Sequence, residues 1–283
     1  MRLLITGAAG MLGQDIRSAA EARGVDAVAL SRGELDITDP GAVDEALRSA
    51  RPDALVNCAA WTDVDGAESQ ERDATQVNGV GAGILARAAA EAGAWTIHVS
   101  SDYVFDGTSR EPYVESDPTH PVSAYGRSKL EGEREVAQHA PGAHTIVRSS
   151  WLFGAGGPCF PATILKLASE RNELKVVDDQ IGCPTFTGHL SRAIVELAAT
   201  APPAGIVHLT GSGFCSWYEF AREIVTAAGL ECEVSPCSTA EMPRPAQRPA
   251  YSVLGTERAA EAPRLPGWRD GLDEYIALRV PSP

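Results

Sequence analysis

Three polar side chains set the first question. Tyr125 and Lys129 stand four residues apart in SAYGRSKLEGE (123–133), and Ser101 closes the run HVSS. Four residues is about one helical turn, so on a helix the phenol and the ammonium share a face. A free phenol has a pKa of about 10, and a positive charge beside it lowers such a value by about 1–3 units. Lys129 is therefore expected to make Tyr125 a stronger acid. A hydroxyl, a phenol and an ammonium around one point suit the reduction of a carbonyl. Ser101 would hydrogen-bond the carbonyl oxygen and Tyr125 would protonate it while hydride reaches the carbon. The spacing Tyr-x-x-x-Lys also arises as an ordinary surface pair, so the chain must supply a site for a hydride carrier.

That site is written in LLITGAAGMLGQDI, where Gly7, Gly10 and Gly13 separate an apolar run from a helical pattern. Gly7 allows a tight turn off a strand, Gly10 lets backbone approach a pyrophosphate, and Gly13 lets the helix pack closely. With Met11 and Leu12 they form the start of a helix, whose free N–H groups and positive dipole end attract phosphate. The second strand ends in SRGELDI. No acid stands at its tip to bond a ribose hydroxyl. Ser31 and Arg32 suit a 2′-phosphate instead, since the arginine fork matches phosphate oxygens. NADPH is favoured, with NADH used as well as the main rival. Asp36 and Ile37 are expected beside the adenine. Ala59 and Ala60 past the third strand, and Asn78 on a long helix, complete the cofactor set.

The elements that must hold these groups follow from periodicity. Strands are read at 2–6, 26–30, 53–59, 95–101 and 144–150, with helices near 11–23, 40–50 and 74–93 and a further one carrying Tyr125. The strands are apolar throughout rather than alternating, as when both faces of a sheet are covered. Strand–helix alternation of this kind implies an α/β, doubly wound parallel sheet of Rossmann type. Residues 1–150 form the dinucleotide-binding domain, with return segments near 183–210. Residues 151–182 and 211–283 form most of a smaller, interleaved substrate domain. Past residue 150, helices are read near 160–171, 187–200, 217–229 and 271–279 with a strand at 205–211, the 187–200 helix and that strand falling in the return segments, and the proline-rich CSTAEMPRPAQRPAYSVL is read as irregular.

Bulk composition narrows the classes. The chain has 283 residues, 44% apolar, and a net charge of −14. That surface argues against nonspecific binding to nucleic acid or membrane. The six cysteines show no CxxC spacing and no histidines at ligand spacing, so reduced thiols in a cytoplasmic protein are expected. Cys58 reads as a small core residue and His98 as a hydrogen-bonded core histidine. Asp63 and Asp65, and Asp178 and Asp179, are read as loop or cap residues. Trp217 and Phe220, three apart on a helix, are read as core. No metal site is expected.

Many ordered blocks then carry a resemblance: ITGAAGMLGQD, NCAAWTDVDGAE, QVN, SSDYVFDG, YGRSKLEGE, VRSSWLFG, DDQIGCPTF, SWYEFAREI and RPAYSVL. The chain resembles the extended short-chain dehydrogenase/reductases, and within them the dTDP-4-dehydrorhamnose reductase family. The resemblance implies reduction of the 4-keto group of a dTDP-linked 6-deoxyhexulose by NAD(P)H. It implies Thr62, Val64, Tyr103 and Trp151 around the sugar and Arg248 at the diphosphate. It implies a monomer or homodimer. Four features depart from the family pattern. Trp61 and Ser101 replace a tyrosine and a threonine, and VLGT and GFCSW replace Leu-Asp-Thr and Gly-Glu-Thr-Ser-Trp. Asp15 stands near a position where some relatives place a metal-binding glutamate, and the remaining glutamates have no match. A reductase of another dTDP-sugar, such as a dihydrostreptose-type synthase, and a non-catalytic NADP-binding subunit are the alternatives.

Overall fold

The computed structural model describes residues 1–200 and 202–279. Its first half runs β1 (Arg2–Thr6), α1 (Met11–Ala22), β2 (Asp26–Leu30), α2 (Pro40–Ala50), β3 (Ala54–Asn57), α3 (Val64–Ser69), α4 (Glu71–Thr75), a π-helical turn (Gln76–Gly81), α5 (Ala82–Glu91), β4 (Trp95–Ser101), α6 (Ala124–His139) and β5 (His144–Ser149). Its second half runs β6 (Leu152–Phe153), α7 (Phe160–Glu170), β7 (Glu173–Val177), β8 (Ile181–Gly182), β9 (Thr185–Phe186), α8 (Thr187–Ala199), β10 (Gly205–His208), β11 (Cys215–Ser216), α9 (Trp217–Ala227), β12 (Glu233–Cys237) and α10 (Trp268–Arg279).

Six strands pair in the order β10-β5-β4-β3-β1-β2, all parallel. The α/β doubly wound sheet expected from the sequence is the architecture. Apolar residues of β1, β3 and β5 vanish into two cores, which is why those strands carry no alternation. On one face α1 and α8 supply Leu12, Ile16, Leu190 and Ile194 against Leu3, Ile5 and Val56. On the other, α2 and α5 supply Val43, Leu47 and Leu85 against Leu4 and Leu55. α8 and β10 thus join the first core although they lie late in the chain. A separate core gathers Phe153, Ile164, Leu174, Phe220, Trp268 and Tyr275 from the second half, beside three short two-stranded ribbons.

Two local readings change. The helix read at 74–93 is broken at Gln76–Gly81 by a π-helical turn. The last helix starts at Trp268, three residues before the expected 271. The expected substrate domain extends to 283, and its residues 280–283 lie outside the described residues. The 250–257 segment is stitched between distant loops: Ser252 N–H donates to Ile181 O at 2.8 Å, and Tyr113 N–H to Val253 O at 2.9 Å.

Candidate active site

In the sheet order, the strands leave β1 in opposite directions, β2 on one side and β3 on the other. Ligands of open α/β sheets sit beyond the strand ends at that reversal. A cleft of about 530 Å³ lies there, lined by Gly7, Gly10, Arg32, Asp36, Ile37, Ala59, Ala60 and Thr62, all expected, and by Cys58 and Trp61. Gly7 has φ +67°, and a Cβ on it would stand 2.6 Å from Ala59 N. A Cβ on Gly13 would stand 2.5 Å from Gly7 O. Only hydrogen fits at either place. Gly10 precedes α1 and offers no side-chain cap, so the first N–H groups of the helix are left for a ligand. Met11 packs beside Gly154 and Gly157, while the Leu12 side chain is buried in the core. Leu12 and Gly13 can serve only through their backbone.

The β2 tip differs from its sequence reading. Glu34 folds back, and its carboxylate accepts the Ser31 N–H at 2.8 Å and the Ser31 hydroxyl at 2.6 Å. An acid does stand at this tip, three residues downstream, and it occupies both Ser31 donors. Arg32 is exposed on the cleft wall. Asp36 caps Thr38, whose N–H holds its carboxyl below the usual range. Ile37 is buried beneath the π-helical turn, against Gly81.

Ser101, Tyr125 and Lys129 come together at the end of β4. Ser123 caps α6 through Gly126 N–H at 3.1 Å, and Glu68 accepts Ala124 N–H at 2.8 Å, which fixes the rotation of the helix. The Tyr125 ring meets the Tyr103 ring edge-on, with centroids 5.5 Å apart. Lys129 donates to Val99 O at 2.7 Å. Tyr125 keeps part of its ring surface exposed, yet dense packing dominates its phenol. Burial pushes the phenol up to about 12, the Asp102 carboxylate adds to the rise, and hydrogen bonding by Ser101 opposes it. The expected lowering is not what sets the phenol: burial and Asp102 raise it, and the opposing influence comes from Ser101 and not from Lys129. Lys129 is itself pushed down to about 8 by burial, against the pull of Glu133 and Cys58.

Behind these groups lies a buried polar frame. Glu133 takes Arg148 in a two-pronged pair at 2.9 and 2.7 Å and accepts the Ser100 hydroxyl at 2.6 Å. With both partners almost fully covered, the pair ties α6 to β4 and β5. Asp102 donates nothing: its carboxylate accepts the Ser101 hydroxyl at 3.0 Å, and burial pushes it up to about 6. Asn78 is 1% exposed and does not line the cleft. It accepts Trp61 N–H at 2.8 Å and donates to Ser128 Oγ at 2.8 Å, and that hydroxyl donates to Tyr125 O at 2.7 Å. Asn78 therefore holds the loop after β3 against α6. His98 hydrogen-bonds Asn57 at 3.0 Å inside the sheet.

On the substrate side, Val64 starts α3, and Tyr103 lies between Tyr125 and Arg248. Trp151 has φ +47° and stacks on Trp217 at 3.5 Å with planes 4° apart. A Cβ on Gly182 would fall on its other face. Both faces of the indole are covered, so Trp151 can offer only an edge. Trp217 is half-buried, and Phe220 is core. Asp63 caps α3 through Gly66 N–H at 2.9 Å, and Asp179 caps Thr239. Asp65 instead pairs with Arg248, a role its sequence neighbours do not signal. Cys58 packs against the first core, as expected, and also borders the cleft. Asp15 is pushed up by burial beside Thr187 and Arg192. Among the described residues no cluster of three or more His, Cys, Asp or Glu is gathered as for a metal ion, and no helix is long and apolar enough to cross a membrane.

A glycine cradle that excludes side chains, on a doubly wound sheet whose next strand end gathers a hydroxyl, a phenol and a buried ammonium, suits one class above others: a dinucleotide-dependent extended short-chain dehydrogenase/reductase. The comparisons agree. A family model described as the RmlD substrate binding domain matches residues 1–280, and the chain belongs to that family, the dTDP-4-dehydrorhamnose reductases. It is 44% identical over 280 residues to a dTDP-4-dehydrorhamnose reductase of Streptomyces griseus, covering 96% of this chain and 92% of that one. It is 42% identical over 281 residues to a probable dTDP-4,6-dihydroxy-2-methyloxan-3-one 4-ketoreductase of Streptomyces antibioticus, covering 97% and 94%. The crystal structure of dTDP-4-dehydrorhamnose reductase from Bacillus anthracis str. Ames in complex with NADP superposes with a TM-score of 0.94 at 36% identity, covering 98% and 99%.

Proposed function

We propose that this chain reduces the 4-keto group of a dTDP-linked 6-deoxyhexulose with NADPH. The observation that carries it is Tyr125, a phenol that packs against Ser101 one helical turn from a buried ammonium and shares an apolar cluster with Trp61 on the wall of the glycine cleft. The cleft fits the adenosine and phosphate part of a dinucleotide: Gly7, Gly10 and the first turn of α1 would hold the pyrophosphate. Arg32 would take the 2′-phosphate, with Asp36 and Ile37 at the adenine. A similar structure that contains NADP supports this choice. NADPH, when bound, supplies hydride to the carbonyl carbon.

The chain's own groups do the rest. Ser101 turns its one hydroxyl hydrogen, held by Asp102 in the free site, to the carbonyl oxygen. Tyr125, raised to about 12, keeps its proton at neutral pH and gives it to that oxygen as charge develops. Lys129 supplies positive charge below the phenol and a donor for the nicotinamide ribose. Thr62, Val64, Tyr103 and the edge of Trp151 form the sugar wall, and Arg248 binds the diphosphate. The protein works in the cytoplasm, as a monomer or homodimer. The 4-ketoreductase relative favours a second reading, in which a different dTDP-4-keto sugar is the substrate.

The test follows NADPH absorbance across a panel of dTDP-4-keto-6-deoxy sugars. Turnover is expected with at least one of them, and Tyr125→Phe should lower kcat by about 10²–10⁴-fold with NADPH affinity retained. A Tyr125→Phe variant that turns over normally would exclude the phenol as the acid.

A further inference from the structure

Asp65 gathers three donors from one irregular segment far along the chain. Its Oδ1 accepts the Ala246 N–H at 3.1 Å and Arg248 Nη1, while Arg244 Nη1 lies 3.6 Å from Oδ2. Arg248 Nη1 also donates to Ala246 O at 2.7 Å, so one nitrogen of the guanidinium is anchored twice. The segment carries Pro243, Pro245 and Pro249, which donate no backbone hydrogen bonds, so side chains must fasten it. Pro249 rests on Gly107, where φ is +79° and a Cβ would stand 2.5 Å from the proline. Arg248 then faces Tyr103, whose ring touches that of Tyr125. Asp65 is a quarter exposed and Arg248 less so, whereas Arg244 is mostly in solvent. Two guanidiniums around one carboxylate leave a net positive charge, which suits a ligand with two anionic groups.

We propose that Asp65 is a positioning residue that pins the 242–250 segment over the substrate side and aims the unanchored edge of Arg248, with Arg244 beside it, at the diphosphate of the nucleotide sugar. This rests on the reading of Arg248 as a diphosphate ligand. Arg248 Nη1 is held by Asp65 and Ala246 O, the guanidinium also meets the Tyr103 hydroxyl, and its remaining donors are kept for the ligand. Arg244 is the more exposed arm, and the ligand draws it from Asp65.

The test uses the full chain and dTDP as the probe, with calorimetric Kd, KM and kcat for the keto sugar, and Kd for NADPH. Asp65→Asn should weaken dTDP about tenfold and raise KM alike, with kcat and NADPH affinity little changed. Asp65→Glu should restore most of the affinity. Asp65→Asn combined with Arg248→Ala should bind dTDP no worse than Arg248→Ala alone, because the first residue acts through the second. If Arg248→Ala loses dTDP while Asp65→Asn does not, the proposal falls and the diphosphate reading stands. If Arg248→Ala binds dTDP normally, the diphosphate reading itself falls. Should Asp65→Asn also lower the melting temperature, the cycle decides: additive losses mark a mere strut and overturn the proposal.

Discussion

The dinucleotide cleft and the substrate side are built by different means. The cleft is shaped by backbone: a strand, a turn with φ +67° at Gly7, and a helix packed through Gly13 onto Gly7 O. Its glycine turn lies within a few residues of sequence, and the later strand ends only wall it in. The substrate side is shaped by side chains that meet across the whole sequence. Asp65 and Arg248 are 183 residues apart, and Trp151 stacks on Trp217. Backbone-built sites tolerate little substitution at a few points. Side-chain-built sites spread their dependence over pairs, and this is where members of one fold can change substrate without losing the cofactor.

The sharpest way to break this comparison is Gly13→Ala. The new methyl would meet backbone 2.5 Å away, which cannot yield as a flexible side chain would. NADPH Kd should rise by about 100-fold or the protein should melt earlier, since overpacking of this kind contributes roughly 1–3 kcal/mol of destabilisation or more. Normal binding and normal melting would show that the cleft is not set by backbone contact. An intermediate effect belongs to Lys129, at the seam of the two regions. Burial disfavours its charged form, so its folded pKa of about 8 lies below the ordinary 10.5. Two opposite trends follow between those values. As pH rises, kcat/KM should fall about tenfold per unit as the ammonium is lost, while stability gains because the folded state no longer holds a buried charge. Below pH 8 both folded and unfolded chains carry the charge, and the penalty is full. Comparing pH profiles of melting for the native chain and Lys129→Met isolates the term, and the trends fail if the two profiles are parallel. The smallest effect is expected for Trp217→Ala. With its stacking partner removed, Trp151 loses one wall, and KM for the sugar should rise several-fold, about 1 kcal/mol, with NADPH Kd unchanged. Near-ultraviolet circular dichroism reports loss of the indole pair, and a change in NADPH affinity instead of KM would blur the two regions.

The same contrast explains what the sequence could reveal. The glycine turn, the parallel sheet and the Tyr125–Lys129 helix were legible because each is a local pattern with one physical meaning. The direction of the Tyr125 pKa was not. Spacing puts Lys129 one turn away, but its ammonium turns to Val99 O, and only packing shows that burial and Asp102 govern the phenol. Glu34 was hidden for a similar reason: it is three residues past the strand tip, and only the turn brings its carboxylate onto Ser31. Asp65 looked like its capping neighbour Asp63, and nothing local distinguishes a carboxylate that caps a helix from one that clasps a distant arginine. The bonds by which Asn78 holds the Trp61 loop to α6 had no local signature either, since Ser128 lies 50 residues away.

The break in the helix at Gln76–Gly81 has a consequence for how the gene can vary. A π-helical turn packs more residues per turn than the α-helices on either side, so the residues before Gln76 and after Gly81 are indexed to separate surfaces. Loss of one codon inside 76–81 would swing every later side chain of α5 around its axis, carrying Leu85 off the sheet and Asn78 away from the loop it holds. Length here is therefore as tightly constrained as identity, and chimeras between relatives should be joined outside this turn.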